Sequence, residues 1–170
     1  MGARSGRDYL DALRGLHADV WLDGARVGDP TTHPALARCA RSVAALYDMQ
    51  AADPEAMTYP TRDGERAGLS FVQARSSADV RARSAMMKRW ADFSGGMLGR
   101  TPDFMNVMFA GYAAAHEYFA QGGAQFGDNI RRYHDRLRRA DLCLTHTLVH
   151  PQRDRATAAP VATEELRARQ

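Results

Sequence analysis

Apolar residues along this chain recur mostly at intervals of three and four, the spacing of a helix face, and the pattern breaks at clusters of Gly, Pro and Asp. Tyr9, Leu10 and Leu13 share one side of a short helix predicted from Ser5 to Arg14, with Ser5 as its cap. In VWLDGARV the strand formers Val20, Trp21, Leu22 and Val27 flank Asp23-Gly24, a dipeptide that tolerates positive φ at both turn centres, so a β-hairpin follows. A second helix opens around Thr31, Thr32 and Pro34, and Leu36, Cys39, Val43, Leu46 and Tyr47 form its apolar stripe, with Cys39 in the core. Between Ala51 and Ser70 the period is lost. Pro54, Pro60, Gly64 and Gly68 mark a long connection that covers a pocket, in which residues 57–59 and 69–72 pair across Asp63-Gly64.

Ser76 with Asp79 reads as a capping box for a helix whose buried stripe is Val80, Met87, Trp90 and Ala91 and which stops at Gly95. The next pattern, from Thr101 to Gly122-Gly123, is the most apolar, and Phe104, Val107, Met108, Gly111, Ala115, Tyr118 and Phe119 line it. About twenty residues at 1.5 Å each predict a central buried helix roughly 30 Å long. Asp128 caps a last helix with Ile130, Tyr133, His134 and Leu137 inward, after which Leu142, Leu144, His146 and Leu148 alternate as in a strand. Residue type alone would instead put His134, with His17 and His116, on a surface, His33 at a helix start and Cys143 in the core. Residues 156–170 read as a tail. The whole is mainly α with a small β-hairpin.

Composition adds limits. With 170 residues, 45% hydrophobic and 25% charged, the chain buries one core. Its 23 basic and 20 acidic residues are nearly balanced, and in the one arginine-rich stretch, Arg131 to Arg139, Tyr133 and Leu137 recur at helical spacing. That is a solvated helix face, not a nucleic-acid footprint. Cys39 and Cys143 make no disulfide framework, and no spacing points to a metal. The N-terminus lacks a signal peptide's apolar core, Gly6 breaks the myristoylation pattern, and the apolar run 104–115 is too short for a bilayer. A soluble, cytoplasmic protein is expected.

Two stretches carry candidate chemistry: GGMLGRTPDFMN and THTLVHPQRDR. In the first, Gly95-Gly96 ends one helix and Thr101-Pro102-Asp103 begins another, so Arg100 sits at a helix mouth. Unpaired N–H groups there and a permanent guanidinium charge favour a phenolate, a carboxylate or an electron-rich ring. His146 in the second stretch is the titratable partner. No GxGxxG, Walker or GxSxG signature is present.

With DYLDALR, MTYP, GLSFVQARS, FGDNIRRYH and DLCLTHTLVHPQRDR in the same order, the chain from about Arg4 to Arg155 resembles the N-terminal region of the 4-hydroxyphenylacetate 3-hydroxylase family, the oxygenase components of two-component flavin monooxygenases. The resemblance implies the helical N-terminal domain of an acyl-CoA-dehydrogenase-like flavoprotein over residues 1–155, with residues 156–170 opening a β domain. It further implies FADH2 from a separate flavin reductase, O2, a 4-hydroxyphenyl substrate hydroxylated next to its hydroxyl group in aromatic catabolism, and a homo-oligomer at full length. Arg100 and His146 match the family's catalytic and substrate-binding residues, and Phe104 stands on the same substrate wall. His146, Thr147, Leu148, Gln152, Arg153, Asp154 and Arg155 match its FAD-binding run. The chain departs from the family pattern at Phe104, commonly Tyr, and at His150, commonly Asn. The family's later domains would follow Arg155, so a truncated hydroxylase is expected; the alternative is a non-catalytic binding or oligomerisation module.

Overall fold

The computed structural model describes residues 3–98 and 101–146. Helix α1 (Gly6–Gly15) starts where Ser5 and Asp8 exchange hydrogen bonds, Ser5 N–H to the Asp8 carboxylate at 2.9 Å and Asp8 N–H to Ser5 Oγ at 3.2 Å. It lies close on α2 (Ala37–Ala52), because a Cβ at Gly6 would stand 2.4 Å from Ala44 O. Strands β1 (Val20–Leu22) and β2 (Ala25–Val27) form the expected hairpin, with Asp23 and Gly24 at φ of 50° and 77°.

Helix α2 begins later than Thr31. Asp29 accepts from Thr31 N–H at 2.7 Å and Thr31 Oγ1 at 2.7 Å, which holds residues 31–36 in turns. The phase also differs: Ala37, Ala40, Ala44, Leu46, Tyr47 and Gln50 are buried and Cys39 is exposed. The small alanines let α1 approach, and Cys39 falls on the opposite side.

The long connection is structured. Asp53 caps a single turn, α3 (Pro54–Met57), followed by β3 (Thr58–Pro60) and β4 (Arg66–Gly68), paired Thr58 to Gly68 across Asp63-Gly64. The second extended piece was expected at 69–72, but Leu69–Phe71 winds into a 3-10 turn and the strand lies just before it. Ser76 and Asp79 make a full capping box for α4 (Ser77–Ser94), which ends on Gly95 at φ 58°. Its buried side chains are Met86 and Trp90, while Val80, Met87 and Ala91 face solvent. Trp90 fixes that rotation by donating Nε1–H to Leu46 O at 3.1 Å. Leu46, Met57, Leu69, Met86 and Trp90 form the core cluster.

The expected single long helix is two, α5 (Asp103–Ala114) and α6 (His116–Ala120), bent at Ala115. After the bend α6 packs on α7 (Ala124–Ala140), where a Cβ at Gly127 would meet His116 O at 2.7 Å. The buried face of α5 carries Met105, Asn106, Ala110 and Ala113; Phe104 and Tyr118 are exposed, and α4 is the longest described helix. Asp128 lies inside α7, not at its cap, because the chain turns at Gly123 (φ 140°) and is helical from Ala124; Asp128 pairs instead with Arg131 at 3.2 Å. Periodicity placed His134 correctly. It is buried, with Nε2 3.1 Å from Phe71 O, and burial pushes its imidazole below the ordinary 6.5. Residues 142–146 form no strand, His146 is exposed, and Leu148 lies outside the described residues. No described helix is long and apolar enough to cross a membrane.

Candidate functional site

The junction between α4 and α5 is built from glycine. Gly95 and Gly96 take φ of 58° and 74°, and Gly96 N–H reaches back to Ala91 O at 2.9 Å, closing the helix with left-handed residues that only glycine adopts cheaply. Met97 beyond them is 87% exposed. Thr101 does not cap α5; its hydroxyl hydrogen-bonds the buried Asp103 carboxylate, and Pro102 takes the N-cap position. Phe104 projects outward, 46% exposed. Two residues on, facing the other way, the fully buried Asn106 donates Nδ2–H to Ser70 Oγ at 3.0 Å, and its Oδ1 has no hydrogen-bond partner among the described residues. Arg100 itself lies outside the described residues.

The second stretch leaves α7 through a buried polar node. Asp141 ends the helix in the left-handed region (φ 45°), and Leu142 N–H bonds Leu137 O at 3.1 Å. The buried Asp141 carboxylate accepts from Arg4 N–H at 2.9 Å and Gln50 Nε2 at 2.7 Å, while Tyr47 donates its hydroxyl to Asp141 O at 3.1 Å. The Arg4 guanidinium lies over the Tyr47 ring at 5.0 Å and donates to Tyr47 Oη at 3.3 Å. Burial pushes the Asp141 carboxyl up, only partly offset by hydrogen bonds from Arg4 and Gln50; burial likewise raises the Tyr47 hydroxyl far above its ordinary range and lifts the Cys143 thiol. Cys143 is partly covered, not core. Thr147, Leu148, Gln152, Arg153, Asp154 and Arg155 lie outside the described residues.

Both stretches are anchored on one short segment. A Cβ at Gly68 would stand 2.5 Å from Gln50 Oε1 and 3.6 Å from Asp141 Oδ1, so the node beneath the His146 stretch rests against Gly68. Two residues along, Ser70 holds Asn106 beneath the Phe104 stretch. Two residues of chain span at most about 7 Å. The mounts of stretches forty residues apart in sequence therefore share the end of β4 and the 3-10 turn. Arg4, Gln50, Ser70, Asn106 and Asp141 escaped the sequence reading. Their partners are mostly distant in sequence, and no local pattern marks them. Phe104 presents an exposed ring and His146 an exposed side chain, while the Asn106 side chain is buried. Among the described residues no three His, Cys, Asp or Glu side chains lie together as a metal site requires.

Residues 5–168 match the family described as 4-hydroxyphenylacetate 3-hydroxylase N terminal. The chain is 39% identical over 160 residues to the 4-hydroxyphenylacetate 3-monooxygenase oxygenase component of Geobacillus sp. (strain PA-9), covering 93% of this chain and 32% of that protein. Against the Thermus thermophilus protein of the same description the identity is 41% over 157 residues, covering 91% and 31%. The crystal structure of such an oxygenase component complexed with FAD and 4-hydroxyphenylacetate superposes with a TM-score of 0.80 at 40% identity, over 91% of this chain and 32% of that one. The chain thus spans about a third of the length of these relatives.

Proposed function

The chain belongs to the 4-hydroxyphenylacetate 3-hydroxylase N-terminal family and has its mainly helical fold, and from that membership we propose that it forms one wall of the active site of an FADH2-dependent phenol hydroxylase. The substrate is a 4-hydroxyphenyl compound, hydroxylated next to its hydroxyl group. Reduced FAD, delivered by a separate reductase, supplies the two electrons that let one atom of O2 enter the ring while the other leaves as water. Arg100 offers the permanent cation that lowers the phenol's pKa and steadies the phenolate, which is far richer in electrons than the phenol. His146 takes the proton and lies against the cofactor; Phe104 packs on the arene. Thr147, Leu148 and Gln152 to Arg155 hold the cofactor's flank. The observation that supports this reading best is the shared mount at Gly68 and Ser70, against which Asp141 ahead of the second stretch and Asn106 of the first both rest.

Because the chain spans a third of its relatives, the remaining walls come from the rest of such an enzyme, joined or supplied in trans. In the completed enzyme Arg100→Ala and His146→Ala each lower hydroxylation by about a hundredfold or more, with circular dichroism unchanged. Rates within threefold of the parent in both variants would remove these residues from the chemistry. The alternative reading is a non-catalytic binding or oligomerisation module. Anaerobic titration with FADH2 separates the two: no binding by this chain, alone or joined by the rest of a relative's domains, leaves only the module.

A further inference from the structure

A cleft of about 1100 Å³ opens where the β3–β4 turn and residues 72–75 face the end of α5 and the outer side of α7. It lies roughly 13 Å along α5 from Phe104, counting nine residues from Phe104 to Ala113 at 1.5 Å each. Five guanidiniums line it, from Arg62, Arg75, Arg131, Arg138 and Arg139, against the carboxylates of Asp63 and Asp135. Three of the five are engaged. Arg138 and Arg139 each reach Asp135 at 2.7 Å and Asp63 at 3.7 and 3.6 Å, and Arg131 reaches Asp128 at 3.2 Å. The side chains of Arg62 and Arg75 form no ion pair among the described residues, although both are exposed and come from different segments of the wall. Counting Asp128 with the two lining acids, five cations face three anions, a surplus of two positive charges.

The floor between these arginines is not charged. Val72, Ala113 and Ala114 provide an apolar patch, with Tyr59 and His116 beside it. Concave shape, a volume suited to a small molecule, unpaired forked donors at the rim and an apolar floor together describe a ligand with an anionic end and an uncharged body. A nucleic acid would call for an extended stripe, which the paired, solvated arginines of α7 do not make. We propose that this cleft binds a small organic diphosphate, its phosphate oxygens held by Arg62 and Arg75 and its uncharged part set against Val72, Ala113 and Ala114. Arg138 and Arg139, paired with Asp135, add to the field of the cleft. The assignment is independent of the hydroxylase reading.

Isothermal calorimetry on the 170-residue chain at low salt, with inorganic diphosphate and with ADP as probes, tests it. Both bind, ADP at least threefold tighter because its organic part reaches the floor. The double variant Arg62→Glu/Arg75→Glu loses at least tenfold in affinity for both. Arg38→Glu/Arg81→Glu, two exposed positions outside the cleft with the same change in net charge, stays within twofold. Circular dichroism checks both doubles, and Arg62→Gln/Arg75→Gln is the substitute should the first fail to fold, with the same tenfold criterion. Absence of binding at millimolar probe, equal losses in the two doubles, diphosphate binding tighter than ADP, or binding of RNA but not of ADP would each overturn the assignment.

Discussion

Asp135 and Asp141 stand six residues apart at the end of α7, and their surroundings drive the two carboxyls in opposite directions. Asp135 looks outward. Partial burial would raise it, but hydrogen bonds from Arg138 and Arg139 outweigh that and hold it below the ordinary aspartate range. Asp141 looks inward, where burial dominates and its partners are a backbone N–H and a neutral amide, so its carboxyl is held above that range. The Arg4 guanidinium close by is spent on Tyr47, not on the carboxylate. One arginine and one aspartate side by side thus say little; what decides is how much water is left and which donors point at the oxygens. The outer pairs dress a surface and the inner node fixes a chain exit.

The contrast is broken most decisively at Asp141. Asp141→Ala leaves Arg4 N–H and the Gln50 amide as buried donors without acceptors and should cost about 3 kcal/mol in urea unfolding. A loss under 1 kcal/mol would mean that the node does not hold the exit of α7. Next in size is Gly68→Ala, where the added methyl meets Gln50 Oε1 at 2.5 Å and Gln50, only 1% exposed and tied to Asp141, has little room to yield. About 2 kcal/mol is expected. Gly111→Ala, open on all sides within α5, is the control and should be neutral or stabilising by up to about 1 kcal/mol.

The same contrast explains what the sequence disclosed. The cap at Ser5, the capping box at Ser76/Asp79, turns at Asp23-Gly24 and Asp63-Gly64, and the stop at Gly95 were all legible, since each is closed by residues within a few positions of one another. Helix rotation was not. α5 is apolar on nearly every side, so spacing could not choose its buried face; Asn106 chose it by reaching Ser70, 36 residues away. Cys39 and Met87 were misassigned for the same reason, the true seams being set by small alanines and by Trp90 bonding Leu46 O. The bend at Ala115 follows from a close approach to Gly127 that no local pattern records. The candidate site came from ordered motifs, not from periodicity: His146 and Phe104 are found exposed, and Arg100 lies outside the described residues. The node that supports the His146 stretch depends on contacts 137 and 91 residues apart, invisible to any window along the chain.

A pH series sharpens the comparison with smaller effects. Because the folded Asp141 carboxyl lies above its ordinary value of 3.8, the native state holds the proton more tightly than the unfolded chain. The resulting stability is fully present below 3.8 and is lost as pH rises through the higher folded value. Asp141→Asn cannot ionise, so wild type should gain on it as pH falls from the raised folded value towards 3.8, read as the gap between urea midpoints. A gap that does not move with pH would show that burial leaves the ionisation of Asp141 untouched.

Asp135 carries the opposite sign and the least energy. Its lowered carboxyl contributes stability above 3.8 that is lost as pH falls through the folded value, since the unfolded chain then binds more protons. Asp135 and Arg139 keep 45% and 56% of their side-chain surface in water, so the pairing is screened and Asp135→Asn should cost about 0.5 kcal/mol or less at pH 7. The cost should fade in 1 M NaCl, where screening acts within about 3 Å. A loss above 2 kcal/mol that salt does not touch would show that Asp135 works as a buried anchor for Arg138, only 14% exposed, and that the outer and inner carboxylates differ in position alone.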